Sequence, residues 1–210
     1  LSVSKSNQNE LLEKVNPKRS VVVYNCVPVE DFYPHEGEKE DMVITIGAVN
    51  FSNLQRKGLE MFVKVARFFP DIPFILIGKH DDDAIEYLKN IAPDNVVFTG
   101  FVSKKKLLRY CQQAKVYAQF SYHEGFGVSV AEAMLCECIP VVSRQFALPE
   151  VVGDVGFKVD YGDVEAAAEA VKKALQSTSD LGRKARKRVK NNFSMEKREQ
   201  KLVKILKEML

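Results

Sequence analysis

In the stretch HEGFGVSVAEAM, His123 to Met134, two carboxylates stand eight positions apart, Glu124 and Glu132. Between them run Gly125, Phe126 and Gly127, then an apolar segment that opens on Val128. The two glycines let the backbone come close to a ligand, and the helix that follows turns its unbonded N–H groups on the same point. Such a terminus is an anion site. Lys57, with Arg56 beside it, enters a helix after another strand and adds cationic charge from a neighbouring loop. Glu132 lies about 7–8 Å along its helix axis. Its neighbours Val128, Val130, Ala131, Ala133, Met134 and Leu135 are apolar on all sides, so the helix is expected to be buried and its carboxylate to need partners. Two carboxylates around an anion site suit a ligand with hydroxyls on both sides of a phosphate group, which is the form of a nucleotide sugar. The plainer alternative is a Gly turn in which one glutamate favours the helix dipole and the other reaches solvent.

The elements that must position these groups are legible from about residue 42 onward. Short β-rich runs, MVITIGAV, PFILIGK, NVVFTGF, KVYAQFS, IPVVS and GFKVD, alternate with helical patterns near 57–69, 82–91, 103–113, 128–137 and 147–152. In KGLEMFVKVARFF, residues Leu59, Phe62, Val63, Ala66 and Phe69 make one apolar face. Continuous apolar strands separated by helices predict a parallel sheet covered on both sides and joined by right-handed crossovers, a Rossmann-like doubly wound α/β fold. Helical patterns then fill 163–175, 179–192 and 194–209, with Ser194 as an N-cap. Residues 1–5 and 20–25 read as two strands around a helix, followed by the polar linker CVPVEDFYPHEGEKED. In an open parallel sheet, ligands bind beyond the carboxyl ends of the strands. The segments there are NFSNLQRKG, Gly78-Lys79, Gly100-Phe101-Val102 and SYHEGFG.

Composition removes several other classes. With 46% hydrophobic residues in 210, the chain suits one sizeable packed domain plus extra elements. A net charge of +3 argues against a dedicated nucleic-acid binder. No apolar run approaches the ~20 residues of a membrane span, and the opening LSVSKSNQNELLEKV is too polar for a secretory signal. Cys26, Cys111, Cys136 and Cys138 form no zinc spacing with His35, His80 and His123, and read as reduced cysteines of a cytoplasmic protein. No metal is expected: no Asp-x-Asp follows a strand, and Asp81–Asp83 reads as a helix N-terminus. The basic run RKARKRVK, Arg183 to Lys190, lies on a helical pattern with Leu181, Ala185 and Val189 as its apolar stripe. It reads first as a solvated helix face and second as a peripheral contact with an anionic membrane surface. Nucleic acid is the least supported partner, because no aromatic residue interleaves the charges.

The segment SYHEGFGVSVAEAMLCECIPVVS resembles the E-x7-E region of the retaining glycosyltransferases of family 4, which have the GT-B fold. RKGLEMFVKVA, GFVSKKKLLRYCQQAKVYAQFS, LPEVVGDVGFKVDYGD and FSMEKREQKLVKILKEML match that family in the same order, and SVVVYNCVPVEDFYP resembles the link between its two halves. The resemblance implies a donor-binding half that transfers a hexose of mannose or glucose type from a nucleotide sugar, with retention and without a metal or other cofactor. Glu124 would bond the hydroxyls of the donor sugar and Glu132 those of the ribose. The amides of Gly125, Phe126, Gly127 and Val128 would meet the sugar and diphosphate, and Lys57 would neutralise the leaving group. Gly100, Phe101 and Val102 would lie beside the base. Three positions depart from the family pattern. Ala48 stands where an arginine is usual, with Arg56 as its candidate substitute, and Cys26 and Glu137 stand where glycine is common.

The same resemblance divides the chain into a remnant of an N-terminal half plus linker (1–40), a nucleotide-sugar domain (41–193) and a crossover helix (194–210). An acceptor-binding N-terminal half would be a missing partner, and the chain alone would not transfer sugar. Val21, Val23, Leu202, Ile205 and Leu206 are then expected to expose apolar surface and favour self-association. The alternatives to an enzyme are a non-catalytic nucleotide-sugar-binding module, favoured by Ala48, and a basic membrane-surface domain.

Overall fold

The computed structural model describes residues 1–208. Its strands are β1 (Glu40–Ile46), β2 (Phe74–Ile77), β3 (Val96–Phe98), β4 (Ala114–Gln119), β5 (Ile139–Ser143) and β6 (Phe157–Val159). Its helices are α1 (Lys5–Lys14), α2 (Phe51–Arg56), α3 (Leu59–Ala66), α4 (Ala84–Ile91) and α5 (Lys104–Gln113), then α6 (Val128–Leu135), α7 (Leu148–Val152), α8 (Val164–Gln176), α9 (Ser179–Asn192) and α10 (Met195–Lys207).

All six expected strands pair in parallel, in the order β3-β2-β1-β4-β5-β6. Alternation along each strand feeds two cores. Val43, Phe74, Leu76, Val116 and Val141 pack under α3, α4 and α8. Ile44, Ile75, Ile77, Tyr117 and Val142 pack under α6, α7 and α9. Because both faces are covered, β2 and β5 are buried at every position, which is why they read as unbroken apolar runs. The strand order reverses direction between β1 and β4, so a crevice opens beyond their carboxyl ends.

Three expectations need correction. Residues 1–5 and 20–25 are not strands: a single parallel bridge joins Ser2 to Val22. Ser4 caps α1 immediately afterwards, accepting from the Asn7 N–H, so the chain leaves the extended form before a ladder can grow. Arg56 and Lys57 do not enter a helix but close one. α2 precedes them, capped by Asn50 Oδ1, which accepts from the Asn53 N–H at 2.9 Å. Gly58 then separates α2 from α3 with a left-handed φ of 67°, and a Cβ there would lie 2.0 Å from the carbonyl oxygen of Phe120. Finally, Val23 and Ile205 are buried and Val21 and Leu202 half-buried, so among the five named positions only Leu206 is broadly exposed. Arg198 ties α10 to the opening segment, donating to the carbonyls of Val23 and Tyr24 and to Asn25 Oδ1. The last two positions of the expected crossover helix, Met209 and Leu210, lie outside the described residues.

The basic run is only partly a solvated face. Ala185 and Val189 are buried, as the stripe required. Arg186, however, donates to the Leu135 carbonyl at the end of α6, and Arg188 donates to the carbonyls of Val151 and Glu150 at 2.8 and 2.7 Å. Two arginines thereby satisfy the free carbonyls of two helix ends. Arg183 and Lys184 pair with Asp180. Cys111, Cys136 and Cys138 are buried and all four cysteines are free. Glu137 holds a left-handed φ of 67° just past α6, in keeping with a position that favours glycine. No described helix is long and apolar enough to cross a membrane.

Candidate active site

Beyond the carboxyl ends of β1 and β4 lies a cleft of ≈ 550 Å³. Arg56, Lys57, Glu124, Gly125, Phe126, Gly127, Val128 and Glu132 all line it, so the structure gathers eight sequence-predicted residues at one place. Val3 and Asn25 add a wall from the opening segment. That segment is held down by Glu150, which accepts from the N–H groups of Lys5 and Ser6 at 2.9 and 2.8 Å. It is also held by a 3.2 Å contact between Glu10 and His123.

The cation is the C-cap of α2. Lys57 Nζ lies 2.6 Å from Glu124 Oε2, and the side chains are only 17% and 15% exposed. In such partial burial the two charges are screened far less than a surface pair. Glu124 Oε2 also accepts from Gln119 Nε2 at 3.0 Å.

α6 begins one residue after Gly127, whose φ of 95° is left-handed and whose Cβ would lie 2.9 Å from Leu148 Cδ2. No side chain caps this helix. Among the described residues the N–H groups of Val128 and Ser129 find no acceptor, although both residues line the cleft. A helix start of this kind presents partial positive charge to whatever fills the cleft.

Glu132 sits one turn further on. Burial pushes its carboxyl up to about 7; the charge of Lys104 pulls the other way and that of Asp31 adds to the rise. The expected partner is not supplied by the protein: among the described residues its carboxylate accepts no hydrogen bond. A half-buried carboxylate that lines a cleft and has no donor among the described residues is suited to accept from hydroxyl groups.

Arg56 reaches the cleft but is tethered. Its Nε and a terminal nitrogen both donate to Asn53 Oδ1, at 3.0 and 2.6 Å, and Asn53 Nδ2 donates to the carbonyl of Ala48 at 2.7 Å. The cation thus stands beside the backbone of Ala48, joined to it through one amide side chain. Gly100, Phe101 and Val102 are not among the residues of this cleft. They follow β3, where Gly100 accepts from Gly78 and Phe101 projects into solvent at 81% exposure. Asp81 pairs with Lys79, while Asp82 accepts from the N–H groups of Ala84 and Phe51, so these carboxylates serve helix starts.

Val3 and Asn25 of the wall, and the polar network of Gln119, Tyr117, Ser129 and Asn53, escaped the sequence reading. Gln119 bridges Glu124 to Ser129 and Tyr117 under the cleft floor, and Asn53 orients Arg56. The signal available was Gln119 itself, a polar residue at the end of the otherwise apolar strand segment KVYAQFS.

A parallel sheet covered on both faces, with an uncapped helix start and charged side chains at its point of reversal, makes a Rossmann-like α/β domain. A family model described as glycosyl transferases group 1 matches residues 30–194, and the chain belongs to that family. O-antigen chain mannosyltransferase B of Escherichia coli is 33% identical over 111 residues, 51% of this chain and 29% of that protein. N-acetyl-alpha-D-glucosaminyl L-malate synthase of Bacillus anthracis is 26% identical over 215 residues, 93% of this chain and 56% of that protein. Alr3699/HepE of Anabaena, solved in complex with UDP, shares the fold with a TM-score of 0.87 at 17% identity, over 99% of this chain and 63% of that one. The chain thus spans between 29% and 63% of the length of these three proteins.

Proposed function

We propose that this chain is the donor-binding part of a glycosyltransferase that moves a hexose of mannose or glucose type from a nucleotide sugar to an acceptor, with retention and without a divalent metal. The observation that carries the reading is the single cleft in which Lys57, the open start of α6, Glu124 and the unpartnered Glu132 converge. The family supports glycosyl transfer, the mannosyltransferase relative supports the hexose, and the UDP complex of a protein with the same fold supports a nucleotide.

In this reading Glu132 takes the ribose hydroxyls, whose donors satisfy its carboxylate. The Val128 and Ser129 amides meet the diphosphate. Lys57 lies between the phosphates and Glu124, and stabilises the charge that builds on the leaving diphosphate as the glycosidic bond breaks. Glu124, freed from part of its pairing, accepts from the sugar hydroxyls. Arg56 adds a second cation where Ala48 offers none. Gly100, Phe101 and Val102 flank the base outside the cleft itself. The acceptor surface belongs to a further N-terminal half, so these 210 residues bind the donor without transferring it.

The experiment is a thermal-shift panel of UDP, GDP, UDP-glucose and GDP-mannose on this chain, followed by calorimetry on Glu132→Ala. Loss of roughly 1–3 kcal/mol is expected on removing a charged acceptor. Equal affinity in the variant removes the ribose assignment, and no shift with any of the four removes the reading. The anomeric configuration of a product made by a longer form, read by NMR, decides retention.

A further inference from the structure

We propose that Gln119 is a positioning residue: its amide holds Glu124 in register with the first turn of α6, so that the sugar and diphosphate contacts of one donor are set by one side chain. The proposal rests on the donor-site reading above. Gln119 ends β4 and is 1% exposed, yet every hydrogen-bonding capacity of its amide is used. Nε2 donates to Glu124 Oε2 at 3.0 Å and to Ser121 Oγ at 2.9 Å. Oε1 accepts from Tyr117 Oη at 2.8 Å and from Ser129 Oγ at 3.1 Å.

The amide has one tenable orientation. An ionised carboxylate only accepts, so a flipped amide would aim Oε1 at Glu124 and lose the contact. On the other side, burial keeps the Tyr117 phenol protonated and able to donate to Oε1. The strand position costs something to fill this way, since the rest of the β4 interior is apolar and a buried amide stabilises only when fully bonded. What the amide joins is informative. Glu124 lies in the loop before α6, and Ser129 lies in the turn of α6 whose N–H groups open on the cleft.

Lys57 alone cannot fix that geometry. Its ammonium is a point charge on a flexible stem and imposes little direction on a carboxylate. When a diphosphate draws Lys57 away, Gln119 remains to hold Glu124 for the sugar.

The test is calorimetry on Gln119→Leu with two ligand pairs, UDP against UDP-glucose and GDP against GDP-mannose. Relative to the unsubstituted chain, affinity for the nucleotide sugar is expected to fall about tenfold while affinity for its nucleoside diphosphate stays within about twofold, because Glu124 meets only the sugar. An equal loss for both members, or none for either, overturns the proposal. Gln119→Glu provides a second reading. Between Lys57, Glu124 and Tyr117, the introduced carboxyl donates to Glu124 only when protonated, so selectivity for the nucleotide sugar should recover as pH falls. Selectivity with the pH profile of the unsubstituted chain overturns it. A crystal structure of Gln119→Leu without ligand is independent of binding: Glu124 is expected in more than one rotamer, and a single unchanged one refutes the positioning role. If the unsubstituted chain binds none of the four nucleotides, the donor-site reading fails, and that crystal structure still decides the role of Gln119.

Discussion

Lys57 and Glu124, separated by 67 positions in sequence, meet at 2.6 Å across the mouth of the cleft. The contact joins the C-cap of α2 to the loop that launches α6, so the two candidate catalytic side chains neutralise each other. Any anion entering beside Lys57 competes with Glu124 for the same ammonium.

Removing one partner should therefore cost more than removing both. Lys57→Met leaves the Glu124 carboxylate partly buried with Gln119 as its main donor, and is expected to destabilise the chain by roughly 1–3 kcal/mol, the cost of an under-satisfied polar group. Adding Glu124→Gln should restore much of that loss. Urea denaturation of the two single variants and the double variant measures the coupling. Strictly additive losses would mean that the pair contributes nothing as a pair.

The left-handed turn before α6 should resist any side chain. Gly127→Ala forces a Cβ to within 2.9 Å of Leu148 Cδ2 at a φ of 95°. Strain of this kind costs about 1–3 kcal/mol. A rise or no change in melting temperature would show that the turn relaxes, and with it that the α6 start is not held by Gly127.

Much of this architecture was legible because burial dictates pattern. The sheet was readable since β2 and β5 are covered on both faces and had to be apolar throughout. α2 was not, since of its six residues only Asn53 and Leu54 are buried, too few to mark a helical period. The apparent strands at the start misled because β-branched residues such as Val21, Val22 and Val23 also serve a chain that makes one bridge and packs under α10. In the site, Glu124, Glu132 and Lys57 declared themselves by charge in apolar or glycine-rich surroundings. Gln119 did not, because an amide acquires its role only from neighbours brought from β4, α6 and the loop between them. Arg186 and Arg188 looked like solvated charge because a helical wheel cannot show which carbonyls lie opposite.

Nucleotide binding is expected to survive excess chelator. Phosphate charge has Lys57, Arg56 and the open N–H groups of α6 available, whereas Asp81 is committed to Lys79 and Asp82 to the starts of α2 and α4. Calorimetry in EDTA and in magnesium checks this. Binding that vanishes in EDTA and returns with magnesium or manganese would reverse it.

Glu132 gives the clearest pH signature. Its carboxyl stands at about 7 in the folded chain against an ordinary 4.5, mainly because burial penalises the charge. The folded state thus holds the proton more tightly than the unfolded state, so raising pH works against folding. The penalty is absent below about 4.5, grows as pH climbs to about 7, and is constant above that, reaching ~3 kcal/mol as an order of magnitude. Glu132→Gln removes the ionisation, and should raise the melting temperature by several degrees at pH 8 while changing little near pH 4.5. Binding should show the opposite slope. A ligand whose hydroxyls donate to Glu132 selects the carboxylate, so its affinity rises with pH up to about 7 and then levels, and Glu132→Gln should lose that rise. A nucleotide sugar is the proper probe, since its bridged diphosphate lacks the terminal phosphate that titrates near ~6 in a nucleoside diphosphate. Stabilisation by Glu132→Gln that is the same at pH 4.5 and pH 8 would show that burial does not shift this carboxyl. An affinity rise that persists in the variant would place its origin in another group.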